Sequence, residues 1–305
     1  MTSPLQQLRW AWPDVSSAIR YACILEATAP KPGNVHPGAG FHDLSFRHFA
    51  IASEITSLHL SHWDTPLGER MLNATTAIRE ACQTNVNLGI ILLLGPIIEA
   101  ERHVQVDASN DVATVTAAWQ RQCRTTVETL PATQGHLIGR AIAHAAPGGM
   151  NTNVEVDSSL DVSNEIAAEF DLLSAMRHAS DRDEIARQYS NGFFTLFSKL
   201  VPLLDRSIDQ QGDVLTGIAV AQVRWMQQHG DSLINRKVSP REAQEIQQQV
   251  MVTNPKDAAS LAELDTYLRD ANNRRNPGTT ADLIAAALYI CLRMYGRRFQ
   301  SESPA

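Results

Sequence analysis

Apolar residues recur at intervals of three and four along most of the chain, the spacing that places them on one face of an α-helix. The first such run follows Asp14 and the second follows Ser45, two residue types that are favoured at helix starts. Further helices are predicted near residues 66–82, 87–100, 110–129, 133–145, 164–178, 181–209, 213–229, 239–251, 256–273 and 280–297. The pattern therefore predicts an all-α fold.

Alternation of apolar and polar residues, the pattern of a β-strand, is confined to two short stretches. These are "HVQV" at residues 103–106 and "TNVEVD" at residues 152–157, so at most a minor hairpin is expected. No internal repeat or low-complexity linker divides the chain. The longest stretch without helical spacing, residues 144–164, is either a functional loop or a domain boundary. We predict a single multi-helix domain over residues 1–305.

The composition is that of a globular protein with a sizeable core. Of the 305 residues, 44% are hydrophobic and 19% are charged, which argues against global disorder. The formal net charge is −7 at pH 7, so nucleic acid is not expected as a partner, because phosphate binding needs clustered cations. The four cysteines lie far apart and form no CxxC pair, so we expect buried thiols and not a zinc or redox motif.

The most apolar stretch, "LGIILLLGPII" at residues 88–98, is too short to span a membrane. It has about half of the ~20 residues that a membrane-spanning helix needs, and Pro96 interrupts it. At the N-terminus, no basic segment precedes an apolar run, so no signal peptide is expected. We predict a buried core helix in a cytoplasmic protein that has no membrane partner.

The segment "TAPKPGNVHPGAGFHD", residues 28–43, interrupts the helical pattern with polar and conformationally special residues. The proline at position 30 should end the preceding helix, and a second proline holds Lys31 in an extended conformation. We expect Lys31 to be an exposed loop lysine. Its stiffly held ammonium beside flexible backbone amides suits a phosphate group, although a plain connector between helices remains an alternative. The candidate ligand-binding residues of this segment are Lys31, Gly33, Asn34, His36 and Asp43.

A second polar cluster comes immediately before the apolar helix, in the sequence "NVNLG" at residues 85–89. Asn85 or Asn87 can cap the helix, and one asparagine is enough for that purpose. The alternative is that the free amides at the start of the helix bind an anion. The sequence alone leaves both readings open.

A third cluster, "RRNPGTTAD" at residues 274–282, precedes the last predicted helix. Thr279 can cap this helix and Asp282 can complete a capping box. A carboxylate in the first helical turn beside arginines can instead hold Mg²⁺ on a nucleotide triphosphate. A weaker cluster, "HGDSLINRK" at residues 229–237, places Arg236 and Lys237 in what is more simply a solvated loop.

Taken in order, these motifs resemble the triphosphoribosyl-dephospho-CoA synthase family. The resemblance is carried by "LEATAPKPGNVH", "NVNLG", "ARQYSNGF" and "ELDTYLRDANNRRNPGTTADLIAAALYI", which are spread over nearly the whole chain. It implies a helical enzyme that transfers the triphosphoribosyl group of ATP to the 2′-hydroxyl of 3′-dephospho-CoA and releases adenine. The chain looks more like a shorter branch found in archaea and in bacteria that use methanopterin-type cofactors. Leu88 stands where the citrate-lyase enzymes of the family have a lysine.

Together, the resemblance and the motifs define a candidate site. Substitution at the anomeric carbon through an oxocarbenium-like state calls for a carboxylate, and the phosphates call for Mg²⁺ and basic side chains. The candidate catalytic carboxylates are Glu26, Asp43 and Asp282, of which Asp43 and Asp282 are also the candidate magnesium ligands. The candidate substrate-binding residues are Lys31, Gly33, Asn34, His36, Asn85, Asn87, Gly89, Arg236, Lys237, Arg275, Asn276, Gly278 and Thr279. Of these, Lys31, Arg236, Lys237 and Arg275 are assigned to phosphate.

Two other functions compete with this interpretation. One is a related phosphoribosyl transfer to another alcohol during the assembly of a methanopterin-type cofactor. The other is a nonenzymatic helical binding protein. The sequence also leaves open whether the chain forms a homo-oligomer.

Overall fold

The computed structural model describes residues 3–8, 14–104, 111–145 and 170–300, with side chains up to residue 296. Every regular element within these residues is helical, so the prediction of an all-α fold is confirmed. A π-helical turn at Leu196–Leu200 precedes α10. The helices are α1 (Pro4–Gln7), α2 (Val15–Thr28), α3 (Phe46–Leu60), α4 (Leu67–Cys82), α5 (Leu88–Glu101), α6 (Val112–Glu128), α7 (Ala132–Ala145), α8 (Leu172–Ala179), α9 (Glu184–Ser190), α10 (Val201–Gln211), α11 (Val214–His229), α12 (Ser232–Lys237), α13 (Pro240–Val252), α14 (Ala258–Leu268) and α15 (Gly278–Gln300).

The minor hairpin suggested by the sequence falls mainly on residues 105–106 and 152–157, which lie outside the described residues. So does most of the stretch at residues 144–164 that was read as a functional loop or a domain boundary. Among the residues that are described, β-type pairing is limited to an isolated antiparallel bridge between His36 and Ala39.

Helix α5 lies at the centre of the fold. All of its residues except Glu99 are buried, and it packs against α4, α6 and α15. A helix that is apolar on all sides belongs in a core, as the sequence predicted. No helix in the described part of the chain combines the length and apolarity that crossing a membrane requires.

Helix α2 starts and ends where the local sequence predicts. The Asp14 carboxylate accepts a hydrogen bond from the backbone N–H of Ser17 at 2.8 Å, which caps the start of the helix. At the other end, Ala29 has an extended backbone with φ −60° and ψ 132°, as expected for a residue before proline. These two termini fix the position from which the segment of residues 29–45 leaves the helix.

Two regions differ from the sequence-based prediction. The helix expected over residues 181–209 is divided, because Gly192 and Phe193 both have the left-handed φ of 62°. The stretch at residues 229–237, expected to be a solvated loop, contains the short helix α12 and the buried Asp231. In both places long-range packing overrides the local preference: the Phe193 ring is fully buried in the main core, and α12 contributes Ile234 to a second apolar cluster.

The second apolar cluster positions one side of the candidate site. It lies among helices α11 to α14 and is separate from the main core. Its buried members are Val223, Met226, Ile234, Ile246, Val250, Leu264 and Leu268. Leu268 also lies against Gly33, so this cluster supports the segment that follows α2. The four cysteines are free and buried, as predicted.

Candidate active site

A cavity of about 480 Å³ lies where the three polar clusters of the sequence meet. Its wall is formed by the end of α2 and the segment after it, the start of α5, helices α8, α9 and α12, and the start of α15. The sequence-derived candidates that line it are Glu26, Asn34, Asp43, Asn85, Asn87, Gly89, Arg236, Lys237, Asn276, Gly278, Thr279 and Asp282. Segments as far apart as Glu26 and Asp282 therefore share one cavity, as the motifs suggested.

Asp282 is a lining acid whose pKa is raised by its surroundings. Burial raises the pKa of Asp282 well above its ordinary value, and the negative charge of Glu26 raises it further. Asp231 and Asp183 act in the same direction, whereas the cation of Arg236 opposes them. A carboxyl group with such a shifted pKa in a cavity marks a candidate functional position.

Gly89 makes room for this carboxylate in the first turn of α5. A Cβ atom at residue 89 would lie 2.5 Å from Cγ of Asp282 and 2.7 Å from Cδ1 of Ile185. Any larger residue would therefore displace Asp282, and this close approach is the physical reason for glycine at this position. The sequence motif thus has a glycine at the position where the space beside Asp282 requires one.

Asn87 occupies the N-cap position of α5, but its side chain does not cap the helix. The residue is 6% exposed and has a left-handed backbone with φ 61°. Its amide nitrogen donates to Oγ1 of Thr56 at 3.4 Å, whereas its buried Oδ1 has no hydrogen-bond partner. An unpaired buried acceptor in the cavity wall is available for a donor group of a ligand.

Asn34 is fixed by a network that joins three distant parts of the chain. Its Nδ2 donates to Oδ1 of Asn276 at 2.7 Å, and its Oδ1 accepts from Nε2 of Gln222 at 2.8 Å. Its backbone oxygen accepts from Arg269 at 2.6 Å. This network holds the segment after α2 against α11 and the start of α15, so Asn34 and Asn276 keep fixed positions.

Arg236 and Lys237 both extend from α12 to the cavity. Arg236 forms an ion pair with Asp183, and its Nε is buried without a partner. Burial lowers the pKa of Lys237, and Arg236 lowers it further, while Asp231, Asp270 and Asp43 oppose the shift. These two side chains are suitably placed and charged for an anionic ligand.

Asp231 positions both α12 and the start of α15. Its Oδ1 accepts from the backbone N–H groups of Leu233 and Ile234 at 2.9 and 3.1 Å. Its Oδ2 accepts from the backbone N–H and the hydroxyl of Thr280, each at 2.7 Å. The capping box predicted for Thr279 and Asp282 is wrong, because α15 begins at Gly278 and Asp231 supplies the acceptor from outside.

The structure corrects the expectation that Lys31 is an exposed loop residue. Its side chain is 0% exposed and does not line the cavity. The ammonium group donates to the backbone oxygen of Glu26 and lies 2.8 Å from Oε1 of the same residue. In this structure Lys31 therefore contacts a cavity residue and does not itself face the space for a phosphate.

Three other candidate substrate-binding residues also lie outside the cavity lining. Gly33 has a left-handed φ of 77° and donates its N–H to Asp265, so it fixes the turn. His36 accepts from the N–H of Gly38 at 3.2 Å within the same loop. Arg275 is held by Glu242 at 2.9 Å. Direct substrate contacts from these residues are not supported by their positions, since each serves a local structural contact.

Several lining residues were not singled out in the sequence. Asp183 caps α9 by accepting from two backbone N–H groups, and its second oxygen holds Arg236. His178 and Arg182 are exposed and also line the cavity. Asn273 donates to Asp43 at 2.9 Å. A capping aspartate before α9 was a usable sequence signal, but it lay inside a region read as one long helix.

The cavity lining also includes apolar side chains. They come from α3, α5, α7, α8 and α9 and from the residue two positions before α8. Among them are Phe49, Leu88, Ile142, Phe170, Leu172, Met176 and Ile185. The cavity thus combines charged and apolar side chains, as expected for a site that binds a small molecule with polar and apolar parts.

The carboxylates of the site fit a magnesium ion only in part. Asp43 and Asp282 both line the cavity and offer the oxygen ligands that Mg²⁺ prefers. However, no group of three or more His, Cys, Asp or Glu side chains in the described ranges could hold a metal ion by itself. A Mg²⁺ ion held by these two carboxylates would therefore need further oxygen ligands from outside the protein.

A comparison with protein families matches residues 13–300 to the ATP:dephospho-CoA triphosphoribosyl transferase family. The match covers nearly the whole chain, so the chain belongs to this family of transferases. Neither the curated proteins nor the solved structures gave a match.

Proposed function

We propose that this protein transfers the triphosphoribosyl group of ATP to the 2′-hydroxyl of 3′-dephospho-CoA and releases adenine. The proposal rests on family membership together with one structural observation. Three motif segments and two basic residues of α12 converge on a cavity that is lined by both charged and apolar side chains. A nucleotide has the same two characters, because its phosphates are charged and its base is a flat ring.

We assign the phosphates to the α12 side of the cavity. Arg236, Lys237 and Arg182 are the basic side chains of the lining, and Arg182 is exposed there. Among the described residues, the same cavity is also lined by four carboxylates, those of Glu26, Asp43, Asp183 and Asp282. A triphosphate entering this acidic surrounding needs further positive charge, which Mg²⁺ would supply. Asp43 and Asp282 are the carboxylates that we assign to that ion.

The remaining residues would orient the ribose and the base. A hydrogen bond from Asn34 to Asn276 fixes both side chains, and Asn87 offers an unpaired Oδ1 in the cavity lining. Such preset donors and acceptors reduce the entropy that substrate binding would otherwise lose. Glu26 is the carboxylate proposed to act at the reacting atoms.

The same geometry is compatible with a second acceptor. Leu88 is 7% exposed and contributes an apolar side chain to the cavity where the citrate-lyase enzymes have a lysine. Loss of that cation favours a substrate pair with fewer phosphates, such as a phosphoribosyl donor and another alcohol of a methanopterin-type pathway.

Release of free adenine tests both candidates. The protein is incubated with Mg²⁺ and either ATP or AMP as the ribosyl donor, first with 3′-dephospho-CoA and then with alcohols that lack the CoA diphosphate. Adenine release that depends on 3′-dephospho-CoA, with a matching coupled product by mass spectrometry, supports the main proposal. Release only with another alcohol supports the second candidate, and absence of release with every acceptor contradicts both.

A further inference from the structure

We propose that Lys31 is a positioning residue that holds Glu26 as a carboxylate anion facing the cavity. This inference rests on the proposed function and separates Glu26 from the other two candidate carboxylates. Among Glu26, Asp43 and Asp282, Glu26 is the one for which the described structure provides a dedicated buried cation.

The location of Glu26 is unfavourable for a negative charge. The residue is 3% exposed and lies in the last turn of α2, where the helix dipole is negative. Burial also removes the water that stabilises an isolated carboxylate. Without compensation, both effects make a buried negative charge at this position energetically costly.

Lys31 supplies the compensation from a stiff segment. Its ammonium group lies 2.8 Å from Oε1 of Glu26 and also donates to the backbone oxygen of Glu26. The adjacent prolines restrict the backbone of the segment, and the N–H of Lys31 is bonded to the oxygen of Ala29 at 2.7 Å. A single side chain thus binds both the carboxylate and the end of the helix that carries it.

The anion has a defined task in the transfer. The acceptor hydroxyl gives its proton to Glu26 while its oxygen forms a bond to the anomeric carbon. The bond from that carbon to the adenine nitrogen breaks, and its electron pair leaves with adenine. Adenine takes a proton from water, and Glu26 returns its proton to water. Atoms and charges therefore balance for ATP and an alcohol as the two reactants.

A four-protein cycle separates this role from direct phosphate binding. The proteins are the wild type, Glu26→Gln, Lys31→Met and the double variant Glu26→Gln/Lys31→Met. Lys256→Met serves as the matched control, because Lys256 is an exposed lysine that does not line the cavity. Three quantities are measured for each: the melting temperature, the equilibrium affinity for ATP with Mg²⁺, and kcat for adenine release below the lowest melting temperature.

We expect Lys31→Met to melt lower than the wild type by roughly 5–15 °C, because an unpaired buried charge is strongly destabilising. The double variant should melt higher than Lys31→Met by at least half of that decrease. If Lys31→Met fails to fold, the double variant should still fold. Each single variant should lose about 10²–10⁴-fold in kcat, and the double variant should lose no more than Glu26→Gln. ATP affinity should stay within about threefold throughout, and Lys256→Met should match the wild type.

A tenfold loss of ATP affinity in Lys31→Met, repeated in the double variant, would show that Lys31 meets the donor and would overturn the proposal. Full kcat in Lys31→Met would overturn it as well. If the wild type releases no adenine with any acceptor, the proposed function fails, but the melting temperatures still test the Glu26–Lys31 ion pair. A higher melting temperature in the double variant than in Lys31→Met then supports the ion pair. If the decreases in melting temperature of the two single variants simply add, the ion pair is refuted.

Discussion

Replacing Gly89 with alanine tests whether the position of the Asp282 carboxylate governs turnover. A Cβ at residue 89 would lie 2.5 Å from Cγ of Asp282, and ordinary contacts begin at 3.4 Å. The carboxylate must therefore move by roughly 1 Å, and a displacement of that size can cost about 100-fold in rate. We expect kcat for adenine release to fall by about that factor in Gly89→Ala.

The stability of this variant should change little. Alanine has a better helix propensity than glycine by up to about 1 kcal/mol, whereas overpacking costs about 1–3 kcal/mol. The atoms that the new methyl meets belong to the far ends of Asp282 and Ile185, which can rotate away. The free energy of unfolding should therefore fall by no more than about 2 kcal/mol.

Gly95→Ala is the matched control in the same helix. Its Cβ would lie 2.7 Å from Sδ of Met71, a flexible side chain that does not line the cavity. Both variants are compared by urea unfolding and by adenine release. Loss of turnover in Gly89→Ala alone supports the reasoning. Wild-type turnover in Gly89→Ala, or an equal loss in Gly95→Ala, would refute it.

Three further predictions concern the supports and charges of the site. Asp231→Ala leaves four hydrogen-bond donors of α12 and α15 without their acceptor. The free energy of unfolding should therefore fall by about 2–4 kcal/mol. An unchanged urea unfolding curve would contradict this prediction. Because burial lowers the pKa of Lys237, ATP affinity should weaken as pH rises through that pKa, below the ordinary value of 10.5. Lys237→Met should abolish this dependence, and an identical pH profile in both proteins would exclude Lys237 as a contact. Removing Mg²⁺ with a chelator should stop adenine release and excess Mg²⁺ should restore it, whereas full turnover in the chelator would exclude the ion.

The fold class and many helix ends could be predicted because they depend on neighbouring residues. Asp14 caps the helix that follows it, and the proline after Ala29 stops that helix, both within a few residues of the chain. The apolar character of residues 88–98 likewise required burial. Such local rules are independent of how distant segments meet.

The roles of individual polar residues were harder to predict, because they depend on distant partners. Asp231 and Thr280 are 49 residues apart, and their hydrogen bond replaces the local capping box that the sequence suggested. Arg236 and Asp183 are separated by 53 residues. Lys31 was read as exposed because loop lysines usually are, whereas its pairing with Glu26 permits full burial. Each error concerns a side chain whose partner could not be identified from the motif alone.

Unpaired buried polar atoms in this protein concentrate around the candidate site. Six such side-chain atoms occur among the described residues, and four belong to Asn87, Gln222, Arg236 and Arg269. Asn87 and Arg236 line the cavity, while Gln222 and Arg269 bind Asn34, which also lines it. Each unpaired atom costs roughly 1–3 kcal/mol of stability, so this region is less stable than a fully paired one would be. A ligand that forms hydrogen bonds with Asn87 and Arg236 would remove part of this destabilisation. The free energy recovered in this way would contribute to substrate binding.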